Sequence, residues 1–211
     1  MKKYILLASA LFIGVFTSEA QDKSCNINFI NLESGINLSQ FNFSDSEITA
    51  FKNGSFSPSQ HQALSFGFNL KGDLNLVLGA AYDKYQVIGK SIDMSSSHLS
   101  YDLNYVSASA GLEYSFPVQD KISLLANGAV TYNYLLSGFQ NMGSSSYDLA
   151  DSDFEASSYS VGTGILYKMT DATGIYLKYD WSKTMNMEDA NDSYKLTSYV
   201  YSVGVRFNLA N

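Results

Sequence analysis

Along most of the chain, apolar and polar side chains alternate with a period of two, the mark of a β-strand with two unlike faces. The last segment is the clearest. Tyr199, Tyr201, Val203, Val205 and Phe207 share one face, and Ser198, Val200, Ser202, Gly204 and Arg206 share the other. Before it, Ile175, Leu177, Tyr179 and Trp181 alternate with Tyr176, Lys178, Asp180 and Ser182, and Tyr159 to Tyr167 alternate with Ser160 to Lys168. The same reading gives Ile122 to Tyr134 against Ser123 to Asn133, and Val106 to Phe116 against Ser107 to Ser115. Further back lie Leu74 to Tyr82 against Asn75 to Asp83, then Leu64 to Leu70 against Ser65 to Lys71. The least regular is the first, with Ile30, Leu32, Ile36 and Leu38 opposing Asn31, Glu33, Gly35 and Asn37. The pattern predicts eight strands.

The connections fall into two alternating classes. Lys71-Gly72-Asp73, Pro117 to Lys121 and Thr170 to Gly174 read as tight hairpin turns. Ser44 to Gln62, Gly89 to Ser100, Gly138 to Ala156 and Asn186 to Ser193 are longer and polar. In an up-and-down antiparallel sheet, all short turns then lie at one end and all long loops at the other. The N-terminus adds a compartment. Lys2 and Lys3 precede an apolar run from Tyr4 to Phe16, closed by Ser18-Glu19-Ala20, so residues 1–20 are expected to be a cleaved export signal. A retained spanning helix would need about 18 or more apolar residues. Residues 21–211 are then one β-barrel domain. An even number of strands behind an export signal, with short turns on one side and long loops on the other, predicts an outer-membrane barrel with short periplasmic turns and long extracellular loops.

Composition narrows the function classes. Charged residues make up 16% of the chain and the net charge is -7, so a nucleic-acid partner is not expected. The single cysteine, Cys25, excludes a disulfide scaffold and a cysteine-based zinc site, and it does not directly follow a small-residue box as a lipid anchor would require.

Eight strands can close with the apolar face inward, as in a soluble ligand-binding barrel, or outward toward lipid. The polar face here, rich in Gly, Ser, Asn and scattered charge, is too polar for a dry core. The apolar face carries Tyr82, Tyr114, Tyr134, Tyr159, Tyr167, Trp181 and Tyr199 near strand ends, the places where an aromatic girdle meets the two membrane interfaces. The membrane arrangement is therefore expected, with no spanning helix after residue 20.

Three short stretches resemble a known family: Gly35 to Ser39, Gly111 to Phe116, and Ser202 to Phe207. They are similar to the small eight-stranded outer-membrane barrels of the OmpX and OmpA-barrel type, and to the outer membrane protein beta-barrel domain or porin family that includes PorT. The resemblance covers essentially the whole mature chain. It implies a Gram-negative cell envelope, contact with outer-membrane lipid and lipopolysaccharide, and insertion by the barrel assembly machinery, but no particular activity. Such proteins commonly end on an aromatic, whereas here Asn208-Leu209-Ala210-Asn211 follow Phe207.

The inward parity gathers Glu33, Lys71, Asp83, Glu113, Lys168, Lys178, Asp180 and Arg206. Eight strands leave room for side chains and no aqueous channel, so these charges are expected to pair across the lumen, with Glu113, Glu33, Arg206 and Lys178 at the centre. A catalytic set is not expected. His98-Leu99-Ser100 resembles the H-x-S element of lipid A deacylases, and Asp102 shares its face. Four residues of strand span about 13 Å, however, and a triad needs contact at roughly 3 Å. His61 is placed in the first long loop, with no acid beside it. Asp148, Asp151, Asp153 and Glu155, and Glu188, Asp189 and Asp192, read as solvated acidic loops without the ordered spacing of a calcium loop. No metal or cofactor is expected. The expected function is a structural or surface-interaction barrel acting through its extracellular loops. The alternatives are a lipid A-modifying enzyme and a narrow transport or secretion component.

Overall fold

The computed structural model describes residues 27–43, 55–90, 98–142, 145–149, 156–185 and 194–209, so the expected export signal lies outside them. The described residues form nine strands: β1 (Ile27–Phe43), β2 (Ser55–Lys71), β3 (Leu74–Lys90), β4 (His98–Gln119), β5 (Ile122–Met142), β6 (Ser145–Asp148), β7 (Ala156–Lys168), β8 (Thr173–Thr184) and β9 (Tyr194–Asn208). Each wall strand pairs antiparallel with its neighbours in chain order, and β6 is a short addition on the end of β5. A ladder from Phe29↔Asn208 to Phe43↔Tyr194 joins β1 to β9 and closes the sheet into an eight-stranded barrel.

Local chemistry explains the tight ends. Gly72 turns the chain between β2 and β3 in the left-handed region, at φ 58°, which only glycine adopts at no steric cost. The Asn69 side-chain amide donates to its carbonyl at 2.6 Å. Between β7 and β8, the Thr173 amide donates to the Thr170 hydroxyl at 3.0 Å. The strands run further than the alternation predicts, and almost all the extra length is at the long-loop end. β2 begins at Ser55, β3 continues to Lys90 and β5 to Met142. The expected loop from Gly138 to Ala156 accordingly contains the end of β5 and all of β6.

The two faces sort as the alternation requires. Leu32, Ile36, Leu112, Val130, Leu177 and Val203 point outward and are exposed, while Asn31, Asp83, Glu113, Ser202 and Arg206 are buried inside. Tyr114 pairs with Leu74, and Tyr167 with Ile122, close to the short turns. Tyr82, Tyr134, Tyr159, Trp181 and Tyr199 stand on the same outward face toward the other end, with Tyr159 edge-on to Trp181 at 5.7 Å between ring centroids.

The interior is less uniformly polar than the alternation suggests. Tyr85, Leu103, Tyr105, Leu135 and Leu196 form a buried apolar cluster near the long-loop end, and Leu125, Leu166 and Tyr176 form another toward the short turns. A register shift between Asn104 and Tyr105 on the β4–β5 ladder sets an extra β5 residue at Leu136. This bulge lets Leu135 and then Gly138 both face inward.

Trp181 is the only tryptophan, so its emission reports on one wall position. Bromine-labelled phospholipid chains in vesicles are expected to quench it strongly; emission untouched by the label would place the apolar face away from lipid.

Candidate functional site in the barrel lumen

Near the short turns the lumen is crossed by a charge pair. Arg206, on β9, donates through Nη2 to both carboxylate oxygens of Glu113, on β4, at 2.8 and 3.0 Å, and through Nε to Asn31 Oδ1 at 2.9 Å. The guanidinium lies 3.8 Å from the centroid of the Phe29 ring and 5.8 Å from that of Tyr176, close enough for cation–π attraction. Phe29 rests on Gly67 and Tyr176 on Gly204, where a β-carbon would collide with the ring. These two glycines are recesses that let aromatic rings fit beside the arginine in a narrow barrel.

Above this floor runs a second network. Glu33 Oε2 accepts from the Tyr176 hydroxyl at 3.0 Å and from Lys178 Nζ at 3.5 Å. Lys178 also pairs with Asp180 at 3.1 Å, and Asn127 donates to the other oxygen of Asp180 at 2.7 Å. On the opposite side, His61 Nε2 lies 3.2 Å from Glu33 Oε1 and Nδ1 lies 2.7 Å from Asp83 Oδ1. Ser107 donates to the second oxygen of Asp83 at 3.3 Å. Glu33, His61, Asp83, Glu113, Lys178 and Asp180 share the lining of a polar cavity of about 160 Å³.

Toward the long loops, Asn37 Oδ1 accepts from the hydroxyls of Ser39, at 3.0 Å, and Ser198. Beyond lies the apolar cluster, with Tyr85 edge-on to Tyr105 at 5.5 Å.

The predicted lumen residues therefore separate. Glu33, Asp83, Glu113, Lys178, Asp180 and Arg206 meet inside. Lys168 does not: it is exposed at the end of β7, opposite Gly174, and Lys71 is exposed at the end of β2 for the same reason. Inward parity carries no burial once the strand passes the barrel rim.

His61 corrects the sequence reading outright. It belongs to β2, faces inward, is 9% exposed, and touches two acids instead of none. The segment Ser57-Pro58-Ser59-Gln60-His61-Gln62 is polar on both faces, so alternation gave no strand signal there. Counting back in twos from Gly67 and Ser65 was the clue available. Asn31, Asn127, Ser107 and Tyr176 join the network through their donors and acceptors, and only their parity announced them.

His98, Ser100 and Asp102 lie at the long-loop end of β4, and Ser100 and Asp102 share the parity of the exposed Val106. They stand opposite Lys90, Ile88 and Gln86 on β3, and the Ser100 hydroxyl accepts from Asn141 at 3.4 Å. Of the acidic loop residues only Asp148 is described, exposed on β6; Asp151, Asp153, Glu155, Glu188, Asp189 and Asp192 lie outside the described residues. Among the described residues no group of three or more His, Cys, Asp or Glu side chains is arranged to hold a metal ion.

Arg206→Met strands the Glu113 carboxylate in the lumen. It is expected to destabilise the barrel by about 3–5 kcal/mol, read as a lower urea midpoint in lipid vesicles. Adding Glu113→Leu is expected to recover most of that loss, and a double variant no better than the single would show the pair is not the source.

Comparison with known proteins agrees with this architecture. No curated protein matches the chain. It is similar to the crystal structure of Neisserial surface protein A, at 15% identity and a TM-score of 0.56, over 86% of this chain and 96% of that one. It is also similar to the outer membrane protein OprG from Pseudomonas aeruginosa, at 12% identity and a TM-score of 0.54, over 88% and 97% of the two chains. At such identities the likeness shows the fold. The family model described as outer membrane protein beta-barrel domain matches residues 8–211. A closed eight-stranded barrel with an apolar outer wall, matched by that model over nearly its whole length, belongs to the outer membrane protein beta-barrel domain family and has its place in the outer membrane.

Proposed function

We propose that this protein is an integral outer-membrane barrel with a side-chain-filled lumen, and that its role is structural or surface-interacting, exercised from the long-loop end. The observation that carries the reading is the sequence of obstructions along the axis. The Arg206–Glu113 pair with Phe29 and Tyr176 occupies one level, the Glu33–His61–Asp83 and Lys178–Asp180 groups the next, and the cluster around Leu103 the last. These layers leave a cavity of about 160 Å³ among the middle groups. That disfavours transport of solutes through the barrel.

Lipid A modification has less support. Its candidates His98, Ser100 and Asp102 run along one strand, and the distance argument against a working triad applies unchanged. In this reading the outer wall meets outer-membrane lipid and lipopolysaccharide, and the barrel assembly machinery delivers the chain there. The partner of the surface role is set by the loop segments.

Purified barrels in planar bilayers are expected to give no reproducible channels. Steady, large conductance steps from the wild-type protein would refute the filled lumen and return the transport reading.

A further inference from the structure

The mid-lumen network is continuous across six strands: Ser107 on β4, Asp83 on β3, His61 on β2, Glu33 on β1, Tyr176, Lys178 and Asp180 on β8, and Asn127 on β5. Its hydrogen inventory is unusual. Asp83 and Glu33 each turn one oxygen to His61, and their other oxygens face only donors: the Ser107 hydroxyl, the Tyr176 hydroxyl and the Lys178 ammonium. An ionised carboxylate can only accept. A neutral imidazole has one N–H, so it would turn a lone pair toward one of these oxygens at 2.7 or 3.2 Å.

Charge points the same way. Four carboxylates, Glu33, Asp83, Glu113 and Asp180, face the lumen with two permanent cations, Lys178 and Arg206. Glu33 from β1 and Asp83 from β3 touch His61, and Tyr85 from β3, Ser107 and Glu113 from β4, and Tyr176, Lys178 and Asp180 from β8 share its cavity.

We propose that His61 is a proton-binding site that closes this belt: as an imidazolium with N–H on both nitrogens, it clasps β1, β2 and β3 together, and removal of one proton opens the clasp. The Lys178 and Tyr176 bonds hold Glu33 to β8 independently. Opening therefore removes one of the two side-chain links that His61 makes, to Glu33 on β1 or to Asp83 on β3, while the backbone ladders of β2 with both strands and the rest of the belt stay in place.

The direct test uses isotope-labelled protein in detergent micelles, with His98→Gln leaving His61 as the one histidine. Nuclear magnetic resonance at neutral pH is expected to show both ring nitrogens protonated, and one bare nitrogen overturns the proposal. This measurement needs no change at His61. In a second test, His61→Gln is expected to lower the urea midpoint, and adding Asp83→Asn is expected to restore part of it by removing the uncompensated charge. A double variant less stable than His61→Gln alone would mean that His61 does not supply positive charge, which also overturns the proposal.

Discussion

In hydrocarbon an amide or carbonyl without a partner costs several kcal/mol, and no water is present to supply one. Everything else in this barrel follows from meeting that demand. The β1–β9 ladder leaves no free edge in the wall, and closing the ring with eight strands rather than more sets the radius. The radius in turn decides the interior. Too narrow for a water column and too wide to collapse, it must be filled from inward side chains, every one of which alternates with a lipid-facing neighbour. A bulky outer residue and a polar inner one are thus two results of a single choice of register.

Filling such a space with charge is expensive unless each ion is bonded on several sides. Arg206 meets that condition with two carboxylate oxygens, one amide oxygen and two aromatic faces. Gly67 and Gly204 matter here because removing two side chains from the wall is what admits Phe29 and Tyr176. The apolar cluster at the far end follows a different logic. There β3, β4 and β5 run on past the outward tyrosines, and Tyr85, Leu103 and Leu135 pack against one another as an ordinary core does.

How much of this the chain announces depends on height in the membrane. At mid-height one face must be apolar and the other polar, so period-two alternation is strong. All eight wall strands, the short turns and the inward parity of Glu33, Glu113 and Arg206 were legible from it. Where both faces are polar, as from Ser57 to Gln62, the signal vanishes although the strand continues. That is why β2 read as starting late and His61 read as a loop residue. At the opposite rim the parity rule failed in the other sense: Lys168 keeps inward parity but has no lumen left to enter. Leu103 and Leu135 were missed because a rule that equates inward with polar has no place for an internal apolar cap.

What alternation cannot supply is the pairing itself. Arg206 and Glu113 are 93 residues apart, Tyr176 and Glu33 are 143, and Arg206 and Asn31 are 175, so no local spacing links them. These contacts form only when the barrel closes in one register. A slip of one residue along any ladder would turn that strand's charges to lipid and its leucines inward. A slip of two would keep the faces but part Arg206 from Glu113 by about 6.6 Å. The wall alone discriminates strongly against the first error and weakly against the second. The lumen network discriminates against the second, and this gives the buried charges a role in selecting the structure even where their net contribution to its stability is small.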